Sequence, residues 1–179
     1  MPPVKLETSR LILRDVRASD ADAFLTYMQR PEYWRNLPIE PPTAESIMAL
    51  LNRSLLDQSS EPRTGFFLAA VDRHSEEIVG EAIIHVRSVR HRQGEMGWGV
   101  SSNRTGNGLG TEIGRAIQKF GFEELGLHRI CAQCRIENLA SRRIMSKLGM
   151  REEGISRENV LARGSWWSSV LCSILSTDS

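Results

Sequence analysis

Long apolar runs, paired cysteines and an excess of one charge are all missing from this 179-residue chain. The longest apolar run, Phe66 to Val71, is far short of the ~20 residues that span a bilayer, so no membrane role is expected. The opening MPPVKLETSR has no apolar core of the kind a signal peptide carries. Three cysteines, an odd number in a chain this long, do not make a disulfide framework. Reduced thiols and a cytoplasmic location are therefore expected. Lys plus Arg number 23 against 22 acids, a net charge of +1, which lacks the basic field that marks nucleic-acid binding while leaving room for a local basic pocket. Repeats, low-complexity tracts and linkers are also missing. The length suits a single core, so one domain over residues 1–179 is expected.

What is present alternates between strand and helix patterns. Arg10 to Val16 alternates apolar and polar faces and reads as a strand. Ser19, with Asp22 three residues on, has the form of a capping box, opening a helix whose stripe is Ala21, Phe24, Leu25 and Met28 and which Pro31 ends. Leu37 to Pro42 is a proline-rich loop. Thr43 caps a second helix with Ile47, Leu50, Leu51 and Leu55 inward, followed by an exposed loop from Asp57 to Thr64. Phe66 to Val71 and Ile78 to Val86 form a hairpin. Gly94 to Ser101 (GEMGWGVS) is a third strand, interrupted by Gly97 and Gly99, where a bulge or the close approach of a ligand is expected. A helix from about Thr111 to Leu125 carries Ile113, Ala116, Ile117 and Phe120 on one face. His128 to Ile136 is a strand. A helix opening at Asn138 turns Ala140, Ile144, Met145 and Leu148 inward and stops at Gly149. Strand-like segments around Arg151 to Glu153 and Trp166 to Leu175 close the chain. This order predicts an α/β fold in which one mixed, mostly antiparallel and twisted sheet is flanked by helices.

The segment Asn103 to Gly110 (NRTGNGLG) sits between a strand and a helix. Glycines let successive backbone N–H groups turn toward an anion, and a helix start adds its dipole and unsatisfied donors. A P-loop would need Gly-Lys-Ser/Thr, and no lysine follows before Lys119. A dinucleotide fingerprint needs G-x-G-x-x-G, whereas Gly106, Gly108 and Gly110 alternate, and they follow a hairpin rather than a first crossover unit. An ordinary tight turn is the bland alternative.

Thr105-Gly106-Asn107-Gly108-Leu109-Gly110, followed by Thr111 and Glu112, resembles the Q/R-x-x-G-x-G pyrophosphate loop of the GNAT acetyltransferase superfamily. Thr105 stands at the first position and Arg104 is displaced by one. Glu137 to Met150 (ENLASRRIMSKLGM) is similar to the N-x-x-S…K-x-G-F segment of the ribosomal-protein N-terminal acetyltransferase (RimJ/RimL-like) branch. Glu7 to Arg14 and Arg163 to Leu175 also look like that branch, with Ser168 where an aspartate is common. The resemblance covers nearly the whole chain. It implies an acetyl-CoA-dependent N-acetyltransferase in which the loop residues Thr105 to Thr111 hold the pyrophosphate. It also implies that the backbone of Trp98, Gly99 and Val100 and the Asn138 side chain hold pantetheine. Ser141 would protonate the departing thiolate, since Met145 stands where other members place a tyrosine acid. Met150 replaces the usual phenylalanine.

Acetyl transfer needs a neutral amine, an oriented thioester and stabilised charge on the carbonyl oxygen and thiolate. An α-amine with a pKa of about 8 is already partly neutral near pH 7, whereas a lysine is well under ~1% neutral, so a modest base suffices for an N-terminus. Glu95 is the first candidate base; Glu137 is a weaker one, and a solvated or ion-paired glutamate is the bland reading of both. No metal is required.

Cys131 and Cys134 form C-x-x-C, but on a strand they point to opposite faces and have no second pair to complete a zinc site. They read as packing residues, with Cys134 facing the cofactor channel. Arg87, Arg90, His91 and Arg92 read as a solvated loop or a contact for an acidic acceptor. Tyr33 and Trp34 line an acceptor pocket or pack in the core. One of Trp166 and Trp167 is expected to be buried. The acceptor is a protein N-terminus or a small amine; the competing functions are an antibiotic- or polyamine-directed enzyme, a coenzyme A-binding regulator without catalysis, and a nucleotide-binding module. Strand edges near the C-terminus permit a monomer or a homodimer.

Overall fold

The computed structural model describes residues 2–178. Eight strands form one sheet in the spatial order β1-β2-β3-β4-β5-β6-β8-β7. They are β1 (Lys5–Glu7), β2 (Leu11–Asp15), β3 (Gly65–Asp72), β4 (Ile78–Ser88), β5 (Gln93–Val100), β6 (Arg129–Arg135), β7 (Arg151–Ala162) and β8 (Ser165–Leu175). Every neighbouring pair is antiparallel except β5 with β6. That pair is parallel because a helix, α4 (Leu109–Glu123), crosses over between the two strands. The remaining helices are α1 (Ala21–Met28), the single turn α2 (Pro31–Trp34), α3 (Ala44–Gln58) and α5 (Leu139–Lys147). No helix among the described residues is long and apolar enough to cross a membrane.

Two cores lie on opposite faces of the sheet. On one, Leu13, Phe66, Leu68, Ala82, Ile84 and Met96 pack against Ile113, Ile117 and Phe120 of α4 and Met145 and Leu148 of α5. On the other, Phe67 and Ala69 pack against Phe24, Tyr27 and Met28 of α1 and Ile47 and Leu51 of α3. β3 contributes to both, which is why FFLAAV is apolar without alternation: a strand covered on both faces has no polar side. Two partly buried ion pairs tie the edges of this second layer. Arg63 meets Asp15 at 2.5 Å and Arg14 meets Asp20 at 2.8 Å.

Several boundaries differ from the sequence expectation. The turn before α1 is a 3-10 segment, Ala18–Asp20, and the Ser19–Asp22 capping box is not made; Asp20 accepts from the Arg17 amide instead. Pro31 ends α1 but also opens α2, where its missing N–H is no loss. α4 starts at Leu109, two residues early, because Gly108 is its left-handed cap. Ala140 is exposed rather than inward. β7 runs to Ala162: an edge strand with little buried surface leaves no apolar alternation to read.

Candidate active site

The glycine loop opens α4 with its backbone in an anion-binding form. Gly106 and Gly108 have φ of 81° and 80°, a left-handed conformation that residues with a Cβ rarely adopt. Among the described residues, none of the amides from Gly106 to Gly110 donates to an acceptor within the protein; the first that does is Thr111, to the Gly108 carbonyl at 3.1 Å. Five consecutive donors are thus offered at the positive end of a helix dipole.

The loop is braced by a residue that the sequence did not nominate. Arg10 donates to the Asn107 carbonyl at 2.8 Å and pairs with Glu112 at 2.6 Å. Glu112 also accepts from the hydroxyls of Thr8 and Ser9 and from the Arg10 amide. Burial alone would raise the Glu112 carboxyl, but these hydrogen bonds outweigh it and hold the group below the usual carboxylate range. The opening T-S-R triplet therefore works as a socket for the first turn of α4.

Beside the loop the sheet opens. β5 and β6 register only over Gln93–Glu95 with Arg129–Cys131. Beyond that, β5 stays with β4 to Val100 and β6 stays with β8 to Arg135. The β6-facing backbone groups of Met96 to Val100 are left without a strand partner, in position to pair with an extended ligand. A cavity of about 310 Å³ occupies this opening, lined by Trp98, Asn138, Ser141, Cys134, Glu95 and Glu81 among others. Asn138 caps α5, its Oδ1 accepting from the Ser141 amide at 3.2 Å, which leaves its amide NH2 as a donor. The cap fixes Ser141 on the first turn of α5, against the cavity.

The far end of the cavity is assembled from distant segments. Glu95 lines it, with both Arg87 bonds on one carboxylate oxygen, at 2.8 and 2.6 Å. Glu81, on β4, is 2% exposed and accepts from the hydroxyls of Tyr27 and of Tyr33, the latter at 2.6 Å. Arg163, at the β7–β8 turn, stacks between Trp34 and Trp167, 5.2 and 4.6 Å from the ring centres. Its guanidinium donates to the carbonyls of Arg35, Leu37 and Ile39, and so straps the proline loop to the hairpin.

A family model described as the acetyltransferase (GNAT) domain matches residues 10–151. The chain belongs to the GNAT acetyltransferase family. An uncharacterized N-acetyltransferase of Bacillus subtilis, YnaD, is 28% identical, covering 95% of this chain and 96% of that protein. The ribosomal protein uS5-alanine N-acetyltransferase of Escherichia coli is 26% identical, covering 99% and 94%. Mycobacterium smegmatis RimJ, solved with a coenzyme A disulfide, superposes with a TM-score of 0.82 at 26% identity, covering 98% of this chain and 90% of that one. Membership of the family makes this protein an acetyl-CoA-dependent acyltransferase and accounts for the mixed sheet with its single parallel pair.

Within this GNAT domain the other nominated residues fall as follows. Thr105 is exposed and bonds the Ser102 carbonyl, while Arg104 pairs with Glu77. Glu137 pairs with Arg135 on the surface. Met145 is buried at the cavity wall and Met150 is in the core. Ser168 accepts from the Glu158 amide within the irregular β7–β8 pairing. Cys134 lines the cavity, its thiol pushed up to about 11, chiefly by burial, so it is a poor nucleophile. Arg92 is spent on the Gly126 carbonyl and Arg87 on Glu95. Trp167 is buried and Trp166 is 60% exposed. The residues missed were Arg10, Tyr27, Glu81 and Arg163. Glu81 alone left a trace, as the one charge inside the apolar run Ile78 to Val86.

Proposed function

We propose that this enzyme transfers the acetyl group of acetyl-CoA to a primary amine by direct attack in a ternary complex, and that the acceptor is a protein N-terminal α-amine or a small amine. The observation that carries the reading is the row of five unengaged amides, Gly106 to Gly110, at the start of α4 and beside the opened sheet. Two phosphates need such donors, and the pantetheine arm needs an unpaired strand edge next to them. In this reading Thr105 to Thr111 bind the pyrophosphate, the backbone of Trp98, Gly99 and Val100 pairs with pantetheine, and the Asn138 amide group donates to it. The amine nitrogen bonds to the thioester carbon, the carbon–sulfur bond breaks, and the Ser141 hydroxyl supplies the proton to sulfur. Glu95 is the carboxylate the sequence nominates as base; its Arg87 partner would have to move aside first.

The 26% identity to a ribosomal-protein alanine acetyltransferase over nearly the full length of both chains supports an N-terminal acceptor and, with it, a cytoplasmic site of action. Calorimetry with acetyl-CoA, with ATP as the control ligand, tests the donor. Coenzyme A release with N-terminal peptides and with polyamines tests the acceptor. Micromolar acetyl-CoA binding without ATP binding is expected, with faster turnover on peptides. Acetyl-CoA binding without turnover on any amine would point to a coenzyme A-binding regulator instead. Preference for polyamines would move the enzyme to the small-molecule class.

A further inference from the structure

Glu81 stands apart from the other acids that are buried or half-buried. Asp15 and Asp20 each face an arginine; Glu81 has no Lys, Arg or His within ion-pair distance among the described residues, only the hydroxyls of Tyr27 and Tyr33. A buried carboxylate with no cation bears an uncompensated desolvation cost, and this one has a place made for it. Gly99 lies opposite Glu81 in the β4–β5 register, and any Cβ there would overlap the Glu81 carboxylate. Glu81 and Tyr33 both line the cavity that holds Ser141 and Asn138. Tyr27 packs edge-on against Tyr33 at 5.5 Å and fixes its ring.

Resting on the acetyltransferase reading, we infer that the acceptor enters as an ammonium ion and that Glu81, through the Tyr33 hydroxyl, takes its proton. The ammonium passes a proton to the Tyr33 oxygen while the Tyr33 proton moves to Glu81. The freed lone pair then forms the nitrogen–carbon bond as the carbon–sulfur bond breaks, and the second nitrogen proton replaces the one Ser141 gives to sulfur. One proton ends on the thiol and one on Glu81, from which solvent recovers it. Glu81 is in this scheme a positioning and proton-storing residue behind Tyr33, and the ammonium is the missing counter-charge. The groups facing it fit. Burial pushes Glu81 above the usual carboxylate range against the pull of the two tyrosine bonds, nearer to the operating pH of a base. β3 and β5 present only Ala69 and Gly99 to it in register. Glu95, by contrast, already has its cation.

The test compares the full-length wild type with Glu81→Gln, Tyr33→Phe and Glu95→Gln. Acetyl-CoA affinity comes from calorimetry, and kcat/KM with an N-terminal peptide is measured from about pH 5.5 to 9. Wild type should hold a plateau below the acceptor's own pKa. Glu81→Gln should keep acetyl-CoA affinity, lose about 100-fold in kcat/KM near neutrality, and follow the neutral-amine fraction with a limb near ~8. Tyr33→Phe should share the lost plateau; a plateau lost in Glu95→Gln but kept in Glu81→Gln would place the base on Glu95 and overturn the inference. A merely structural Glu81 would not move the limb. A plateau surviving in Glu81→Gln, or in Tyr33→Phe should the first variant not fold, would overturn the inference while leaving the enzyme assignment intact. Wild type that binds acetyl-CoA but turns over no amine would overturn both.

Discussion

At the proposed phosphate loop the protein works almost entirely with backbone: glycines in a left-handed conformation, amides at a helix start, and an arginine that holds a carbonyl in place. At the proposed acceptor end it works with side chains from five separate elements or turns, namely Tyr27, Tyr33, Glu81, Trp167 and Arg163. The difference suits the ligands proposed for the two ends. A pyrophosphate carries charge on several oxygens and can be met by a contiguous row of N–H donors. A single amine nitrogen must be oriented and stripped of a proton, which takes a few groups placed from different directions. Damage to one end should therefore leave the other measurable.

The largest break is expected at Gly108. A tryptophan there would sit at φ 80°, against L-residue preference, and would fill the loop. Acetyl-CoA affinity should fall about 100-fold or more, about 3 kcal/mol, with the circular dichroism spectrum unchanged. Tyr33→Phe should leave that affinity within about twofold. If both variants weaken acetyl-CoA equally, the two ends are not independent.

Arg163→Met tests the acceptor end in the same way. It removes three hydrogen bonds to the proline loop and leaves an apolar chain to pack on Trp34 and Trp167. The acceptor KM should rise about tenfold, about 1.4 kcal/mol, with acetyl-CoA affinity unchanged. Amide exchange across Arg35 to Ile39 should quicken, since that segment loses its anchor.

The same division governs what could be read beforehand. The glycine turn before α4, the helix start at Asn138 and most of the helix stripes are local patterns, legible from residues close in sequence, with Ala140 the exception on α5. The clamp of Arg163 on Leu37 and Ile39 spans more than a hundred positions, and its arginine looks like any other on a hairpin. Tyr27 lies outside the stripe Ala21, Phe24, Leu25 and Met28 read from the sequence, yet the structure buries it. Only the start of β7 shows in the sequence, because an exposed edge strand has no buried face to impose a period. Glu95 was nominated for lying on a glycine-broken strand; Glu81, on the adjacent strand and opposite Gly99, is the carboxylate that one of those glycines accommodates.

Two carboxylates sharpen the comparison through pH, with opposite signs. Glu112 braces the loop and is held low by its hydrogen bonds. Its contribution is present above the ordinary carboxylate range and disappears as pH falls through its folded value. Glu112→Gln should lose about 1 kcal/mol near neutrality, and its melting temperature should converge on that of wild type in acid.

Glu81 should show the reverse, and the smallest effect. Its folded pKa is raised by burial, so between its unfolded and folded values the native state binds more protons than the unfolded chain. Stability is then fully present below the ordinary carboxylate range and declines as pH rises through the folded value. Glutamine carries no charge to bury and escapes that decline. The melting temperature of Glu81→Gln relative to wild type should therefore climb with pH, by on the order of 2 °C, whatever the offset set by the altered tyrosine bonds. A difference that stays flat would mean that the tyrosines already satisfy the charge and that the carboxylate stands in no need of an ammonium. A climb would show the acceptor end storing an unmet charge that the loop end, with its arginine, does not.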